Sequence, residues 1–488
     1  MANLSLQDIR DVIDIIKELY LEDMIPWICG YSGGKDSTAV VQLVWYALQE
    51  IPKEKLQKVV HVINTDTLVE SPVVSLWASE SLHKMELAAQ RDGLPIIPHR
   101  LTPTISNSFW VNLIGRGYPY PRRDFRWCTD RLKIDTSNRF IKSVLDAESE
   151  AIMVLGSRKA ESAVRKAVLE GYEKKRYRDH LSPNGSFPNS YVFTPIENWE
   201  NNNVWQYLVQ VPNPWGQSNK DLLAMYSGAS ADGECPLVID TSTPSCGNSR
   251  FGCWVCTMVT EDKSMAAMIQ NDEEKSWMLP MLEFRNEIAA DWQTDRNRRD
   301  FRKRDGRLLW HNNRLVHGPY NKATREHFLE RLLEVEQLVH EIGPDEIKNV
   351  PLISQDELEM IRKIWLEEFH EFDDSLPVIY TRVTGKAYSD GIIKKNRYFG
   401  REEAALLQEV CNDLFPEEEL LNEMQRSLLD IEAKAATISN KRSIVNNFEK
   451  EIKKAFYRDE AEAEALALER YSKLSNITET TNLEEPLD

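Results

Sequence analysis

Cys29-Gly30-Tyr31-Ser32-Gly33-Gly34-Lys35-Asp36-Ser37 decides the fold. The apolar run from Ile25 to Tyr31 leads into it and predicts a short buried strand, and Thr38 to Leu48 is apolar at helical spacing. The stretch is therefore a loop between a strand and the first turn of a helix. Gly33 and Gly34 remove Cβ atoms and let the backbone curl around an anion. First-turn N–H groups of a helix have no intrahelical partner and point at such an anion. Lys35 adds a full positive charge, and Ser32 and Ser37 add hydroxyl donors, so the cradle suits a phosphate group.

The order of residues is not the G-x-x-x-x-G-K-[ST] of the usual nucleotide P-loop. Ser32-Gly33-Gly34-Lys35-Asp36-Ser37 instead resembles the PP-loop of the ATP pyrophosphatases, a superfamily that cleaves ATP to AMP and pyrophosphate and adenylates a substrate oxygen.

Working outward, apolar runs at Val59–Ile63, Leu94–Pro98, Ala151–Leu155 and Tyr191–Ile196 predict further strands. Amphipathic spacing predicts helices over residues 1–24 and Pro72–Ala89. Strands alternating with helices imply an α/β fold with a mostly parallel sheet covered by helices on both faces. Ligands on such sheets bind at the carboxyl ends of strands. Cys29–Ser37, Asp66 and Ser157–Arg165 all follow predicted strand ends, which brings them toward one pocket. Phe109 to Asp124 carries glycine and proline and reads as a loop, made basic by Arg116, Arg122 and Arg123 and continued by Arg126, Arg131 and Lys133. Residues 171–190 read as an exposed loop, and Pro416 to about Leu474 as one or two long helices. The expected organisation is a PP-loop domain over 1–215, a cysteine-cluster and basic segment over 216–320, and a mainly helical region with an acidic tail over 321–488.

The 488 residues are 42 % hydrophobic and 28 % charged, the composition of a globular chain large enough for two or three domains. There is no run of about 18 apolar residues, so no membrane span or membrane partner is expected. The N-terminus lacks the basic and apolar segments of a secretory signal, and 7 unevenly spaced cysteines suit metal or redox chemistry rather than a disulfide scaffold. A cytoplasmic location is expected. The net charge of −18 argues against general attraction to nucleic acid but leaves room for local basic surfaces. The strongest of these is the run Arg296 to Arg307, in which Arg298, Arg299 and Arg302 would share a helix face.

Three constellations carry chemistry. In Ser157-Arg158-Lys159-Ala160-Glu161-Ser162-Ala163-Val164-Arg165, the guanidinium groups of Arg158 and Arg165 are suited to clamp phosphate oxygens. In Arg126-Trp127-Cys128-Thr129-Asp130-Arg131-Leu132-Lys133, cations surround Cys128, which is expected to lower its thiol pKa and favour attack on, or carriage of, sulfur. Asp36 and Asp66 are candidate carboxylates for Mg²⁺, which binds oxygen ligands and bridges nucleotide phosphates. The third is Cys235-x10-Cys246-x6-Cys253-x2-Cys256. Zinc ribbons usually present two C-x2-C knuckles, and only one pair here has that spacing, so an iron–sulfur site suits it better while zinc stays open. Cys29 and Cys411 read as core thiols.

The Ser-Arg-Lys-Ala-Glu-Ser and Arg-Trp-Cys-Thr segments are similar to the phosphoadenosine phosphosulfate reductase branch of the PP-loop superfamily. That branch's C-terminal Glu-Cys-Gly-x-His motif is absent here. The PP-loop, both segments, the four-cysteine insert and the length occur in one order that resembles the DndC family, the sulfurtransferases and ATP pyrophosphatases of bacterial DNA phosphorothioation. The resemblance covers most of the chain to about residue 330 and implies several things. Lys35, Asp36 and Cys128 would be catalytic, and ATP would lie on Ser32, Gly33, Gly34, Lys35, Asp36, Ser37, Asp66, Arg158 and Arg165 with Mg²⁺. A [4Fe-4S] cluster would lie on Cys235, Cys246, Cys253 and Cys256. Sulfur would come from a cysteine desulfurase (DndA or an IscS-like enzyme), and DndD, DndE and DNA would be partners. A tRNA thiolase or a phosphoadenosine phosphosulfate reductase-like enzyme is the alternative.

Overall fold

Trp27-Ile28-Cys29-Gly30 form β1, whose first three residues are buried, and the rest of the sheet is laid out around it. The structure is a computed structural model that describes residues 4–229, 252–389, 399–416, 418–435 and 441–481. Helix α1 (Leu6–Glu22) opens with a capping box between Ser5 and Asp8 and buries Ile9, Ile13, Ile16, Leu19 and Tyr20. After β1 come α2 (Lys35–Gln49), β2 (Val60–Thr65), α3 (Pro72–Asp92) and β3 (Ile96–Leu101). Then follow α4 (Asp135–Glu148), β4 (Ala151–Val154), α5 (Ala163–Glu173), β5 (Ser182–Pro183), β6 (Ser190–Phe193), α6 (Asn201–Gln210) and α7 (Asn219–Gly228). All five predicted strands are present.

The strand order is β3-β2-β1-β4-β6-β5, parallel except for β5. β5 ends in Pro183, which an edge strand tolerates because its lost N–H faces no neighbour. Alternation along β1 sends Trp27 and Cys29 into a core with α1, α2, α3 and α6, and Ile28 into a second core with Ile141 and Val144 of α4. The sheet is thus covered on both faces, as predicted. The chain leaves β1 toward β2 and β3 and later returns on the other side at β4. The gap between the carboxyl ends of β1 and β4 is therefore the switch point where ligands of such sheets bind.

Two compact units form. One comprises Met1–Thr104, Pro121–Arg285 and Ile342–Val350; the other comprises Ile105–Tyr120, Asn286–Glu341 and Pro351–Asp488. In the second unit, the expected loop from Phe109 is instead helical at its start. Val111–Gly115 form a π-type turn, and Phe109 and Trp110 are buried because the run is apolar enough to make core. Trp110 Nε1 donates to Leu352 O at 2.8 Å, and Trp365 Nε1 to Ile114 O at 3.1 Å. Among the described residues the C-terminal stretch carries helices over Glu419–Ala435, Lys441–Lys454 and Glu460–Thr481. Asp459 restarts the last of them by accepting from Glu462 N at 2.8 Å. No helix among the described residues is long and apolar enough to cross a membrane.

Candidate nucleotide and cysteine site

The PP-loop is held open by its own side chains. Gly33 sits at φ +75°, a left-handed conformation, and a Cβ there would meet Trp77 Cδ1 at 3.4 Å. Gly34 precedes α2 without any side-chain cap, so the first-turn N–H groups lack intrahelical partners and suit an anion, with Lys35 N donating to Tyr226 Oη at 3.3 Å. Ser37 Oγ accepts from Ser32 N at 3.1 Å and donates to Gly34 O at 3.0 Å. Asn64 Nδ2 donates to Tyr31 O at 2.9 Å, and Trp77 Nε1 to Gly33 O at 3.2 Å, fixing both ends of the loop.

The loop after β4 docks on this helix start. Arg158 Nε donates to Asp36 Oδ1 at 2.6 Å, and its Nη1 to Trp199 O at 3.2 Å. Lys35 Nζ lies 2.9 Å from the other oxygen of Asp36, forming a chain Lys35–Asp36–Arg158. The approach is possible because residue 156 is glycine: a Cβ there would meet the Asp36 carbonyl carbon at 2.9 Å and Ser37 N at 3.1 Å. Arg158 is therefore beside the PP-loop, as the sequence predicts, but buried and engaged by Asp36. Arg165 is exposed on α5 and pairs with Glu161 at 3.4 Å, and Glu161 also accepts from Arg158 N at 2.9 Å. Arg165 thus reaches the loop through Glu161.

A small pocket of about 70 Å³ opens beside Ser32, between the ends of β2 and β3 and the start of α3. Asp66 lines it, as does Arg100 at the end of β3. Arg100 donates to Asp66 Oδ2 through Nε at 3.1 Å and to Ser75 Oγ at 3.1 Å, spanning the pocket. Ligand pockets commonly exceed about 300 Å³, so a nucleotide base and sugar require this pair to open. Asp36 and Asp66, the predicted Mg²⁺ carboxylates, both hold arginines here.

Lys133 also lines this pocket and joins it to the cysteines. Its Nζ is 3.4 Å from Glu70 Oε1, and Thr67 Oγ1 donates to the same carboxylate oxygen at 3.1 Å. Cys253 Sγ lies 3.2 Å from Thr67 Oγ1 and 3.8 Å from Glu70 Oε1. Burial works against the Lys133 ammonium, but Glu70, Cys253 and Cys256 outweigh it and hold its pKa above that of an ordinary lysine. The backbone is stitched as well: Trp254 N donates to Val69 O at 3.0 Å, and Ser71 N to Gly252 O at 3.3 Å. Cys256 N donates to Cys253 O at 3.0 Å, which closes the Cys-x2-Cys stretch into a tight turn. The buried Arg285 guanidinium supports it, donating to Cys256 O at 2.9 Å and Thr260 O at 2.9 Å.

Cys128 departs from expectation. Burial pushes its thiol pKa up, and the nearby Cys256 adds to that; the surrounding cations do not lower it. Trp127 opens a helical run and is buried next to Cys128 in the chain, while the Arg123 and Arg126 side chains are exposed. Cys29 is fully buried, its pKa pushed up to about 12 by burial, and Cys411 is buried in the second unit. Cys235 and Cys246 lie outside the described residues. Among the described residues no group of three or more His, Cys, Asp and Glu side chains is arranged to hold a metal. The basic run at 296–307 is partly taken up within its own unit, and the helix ends at Asn297, so Arg298, Arg299 and Arg302 do not share the expected helix face. Arg299 pairs with Asp295 at 3.1 Å, Arg302 with Asp300 at 2.7 Å and Glu423 at 2.8 Å, and Arg296 with Glu460 at 2.6 Å.

Tyr226, Arg100, Glu70 and Arg285 were not singled out for this site by the sequence, and Lys133 was read only as one of the cations around Cys128. Tyr226 Oη accepts from Lys35 N at 3.3 Å from a helix nearly two hundred residues away, a contact no local pattern signals. Arg100 had a signal: it ends a strand as Asp66 follows one.

The phosphoadenosine phosphosulfate reductase domain family matches residues 26–215. An uncharacterized protein of Methanocaldococcus jannaschii is 28 % identical over 208 residues, which is 43 % of this chain and 36 % of that protein. The chain thus spans about a third of the length of the curated relative it matches. Among solved structures, phosphoadenylyl-sulfate reductase from Candida auris in a phosphate complex is similar at TM-score 0.25 and 13 % identity, covering 44 % of this chain and 91 % of that one. Candida glabrata FMN adenylyltransferase with FAD and pyrophosphate is similar at TM-score 0.27 and 14 % identity, covering 49 % and 67 %. The U34-tRNA thiolase NcsA from Methanococcus maripaludis with its [4Fe-4S] cluster is similar at TM-score 0.27 and 12 % identity, covering 58 % and 80 %. The stretch that holds the PP-loop and the sheet is thus similar to a phosphoadenosine phosphosulfate reductase domain.

Proposed function

We propose that the protein is an ATP pyrophosphatase and sulfurtransferase that adenylates a DNA backbone phosphate so that a non-bridging oxygen can be replaced by sulfur, in the manner of the DndC family. The observation that carries this reading is that one loop, Asp66 to Ser71, serves both halves of the chemistry. Asp66 and Glu70 line the pocket beside the PP-loop, while Thr67 and Glu70 touch Cys253.

The triphosphate tail lies on the Ser32–Ser37 amides, and Lys35 turns from Asp36 to the charge growing on the departing pyrophosphate. A non-bridging oxygen of the DNA phosphate attacks the α-phosphorus, forming the O–P bond as pyrophosphate leaves. Sulfur, as a persulfide on Cys128, then attacks the DNA phosphorus, and AMP departs with the original oxygen. A second thiol cleaves the S–S bond, leaving sulfur on the DNA and a disulfide on the protein. Arg158 anchors the helix start through Asp36, and Arg165 offers a guanidinium at the rim. Cys253 and Cys256 suit half of a four-cysteine site, because the Cys-x2-Cys stretch is closed into one tight turn and Lys133 would offset the negative charge of bound thiolates. With Cys235 and Cys246 they would hold a [4Fe-4S] cluster, which supplies sulfide ligation and electron transfer when bound. Asp36 and Asp66 would take Mg²⁺ only after releasing their arginines. A cysteine desulfurase (DndA or IscS-like) as donor, and DndD and DndE as partners, complete the proposal.

The test is to incubate the anaerobically reconstituted protein with ATP, DNA, cysteine and a desulfurase. Released AMP and pyrophosphate are measured, and phosphorothioate dinucleotides are sought by mass spectrometry after digestion. The expected result is sulfur in DNA, lost in Lys35→Ala. Sulfur in tRNA alone would make it a thiolase, and sulfite from an adenylylated sulfate would make it a reductase; either overturns the DNA assignment.

A further inference from the structure

The turn at Arg122–Phe125 stands apart from the rest of an acidic chain. Arg122 N donates to Phe125 O at 3.2 Å and Phe125 N to Arg122 O at 2.9 Å, so the turn is closed from both sides. Phe125 is nonetheless 40 % exposed, while Trp127, two residues on, is buried and anchors the segment. Arg123 and Arg126 are exposed beside it, and Arg126 Nε donates to Arg123 O at 3.1 Å, which keeps the two guanidinium groups on one turn. From Pro121 to Lys133 five basic residues face two acidic ones, in a chain whose net charge is −18. Thr257 Oγ1 donates to Pro121 O at 2.6 Å, tying the base of the turn to the residue that follows the cysteine knuckle. On its other side the segment runs through Cys128 into a π-helical stretch, Thr129–Ile134, which places Lys133 in the pocket. π-type turns are rare and cluster at functional sites.

We propose that this turn is a nucleic-acid docking element. Arg123 and Arg126 take backbone phosphates of the strand to be modified, and Phe125 stacks on an exposed base. This rests on the reading of the site as one that acts on a DNA phosphate, and it supplies what that reading lacks, a surface that delivers the strand. An exposed ring between two arginines is the combination that binds nucleic acid without sequence preference, the charges tracking phosphates and the ring meeting any base face. A solvent-exposed phenylalanine contributes little to folding, and like charges on one turn repel, so internal stability does not explain the arrangement. The turn leads directly into Cys128 and into the π-helical stretch that carries Lys133 to the nucleotide pocket, so a strand docked on the turn lies beside the segment that bears the reacting groups.

The test is fluorescence anisotropy with the full-length protein and a labelled DNA oligonucleotide, in duplex and single-stranded form, titrated from about 50 to about 200 mM KCl, with tRNA as a separate arm. Wild type should bind DNA with a salt-dependent affinity. Arg123→Gln with Arg126→Gln should reduce the slope of log K against log salt by about 2. Phe125→Ala should weaken binding about tenfold without changing that slope, and Phe125→Trp should restore it. Unchanged unfolding midpoints show that the variants are folded. If wild type binds DNA and the variants bind equally well with the same slope, the docking element is overturned and the reading of the reaction stands. If only tRNA binds and the variants weaken it, the element stands and the DNA reading falls. If wild type binds neither, the element is overturned.

Discussion

Arg158 and Asp36 are joined at 2.6 Å between the loop after β4 and the first turn of the PP-loop helix. Arg158 is almost wholly buried, its side chain 4 % exposed, so removing its charge strands Asp36 in a poorly solvated place beside Lys35. Arg158→Gln is expected to cost about 2–4 kcal/mol in urea unfolding and to slow pyrophosphate release. Equal stability and equal turnover in the variant would show the pair to be incidental.

Gly156 permits that pair to form. Its absent Cβ would overlap backbone atoms of Asp36 and Ser37, which cannot move aside as a flexible side chain would. Gly156→Ala is expected to push the loop off the helix start, with a loss of about 1–3 kcal/mol. ATP affinity should fall more steeply than stability, and calorimetric titration with a non-hydrolysable analogue measures it.

The sheet and the PP-loop were legible because both are local. An apolar run followed by Ser-Gly-Gly-Lys-Asp-Ser names strand, loop and helix start in nine consecutive residues. Arg158 was legible for the same reason, since it follows a strand end. What the sequence concealed is long-range. Tyr226 under Lys35 and Arg285 under the knuckle are contacts made by packing, and no spacing announces them. The basic run at 296–307 misled because composition does not reveal partners: its carboxylates come from Asp295, Glu423 and Glu460. Cys128 misled because sequence shows which charges are near in the chain, not that burial would govern the thiol.

Arg285 offers a test of the cysteine site that leaves the cysteines intact. Arg285→Met removes the donors to the carbonyls of Cys256 and Thr260 while keeping apolar volume. Anaerobic preparations should carry less iron per chain and less absorption near the visible sulfide bands than wild type. Full iron loading in the variant would show that the knuckle holds its shape without the guanidinium.

His61 and His99 face each other across β2 and β3, with Nδ1 and Nε2 3.0 Å apart and Phe140 packed on both rings. Burial, and then the neighbouring His99, depress the His61 pKa to about 4, and burial lowers that of His99. The folded pKa lies below the ordinary value of about 6.5, so the unfolded chain takes up the proton first. The contribution to stability is whole above pH about 6.5 and is lost as pH falls from there toward 4. A decline of about 2 kcal/mol across that window is expected in urea midpoints, and His61→Phe should remove most of it, because the buried group that must take up the proton is gone.

The hydrogen bonds from Trp254 to Val69 and from Ser71 to Gly252 have a practical consequence for anyone dissecting the chain. The unit that contains the PP-loop also contains residues up to Arg285 and a short return at Ile342–Val350. A fragment cut at the end of the family match, residue 215, would lack Tyr226 beneath Lys35 and the strand-like partner of the Asp66–Ser71 loop. Expression of that fragment alone should therefore yield a sheet whose catalytic rim is frayed. Swapping this unit between relatives means moving three chain segments through five junctions rather than one segment through one.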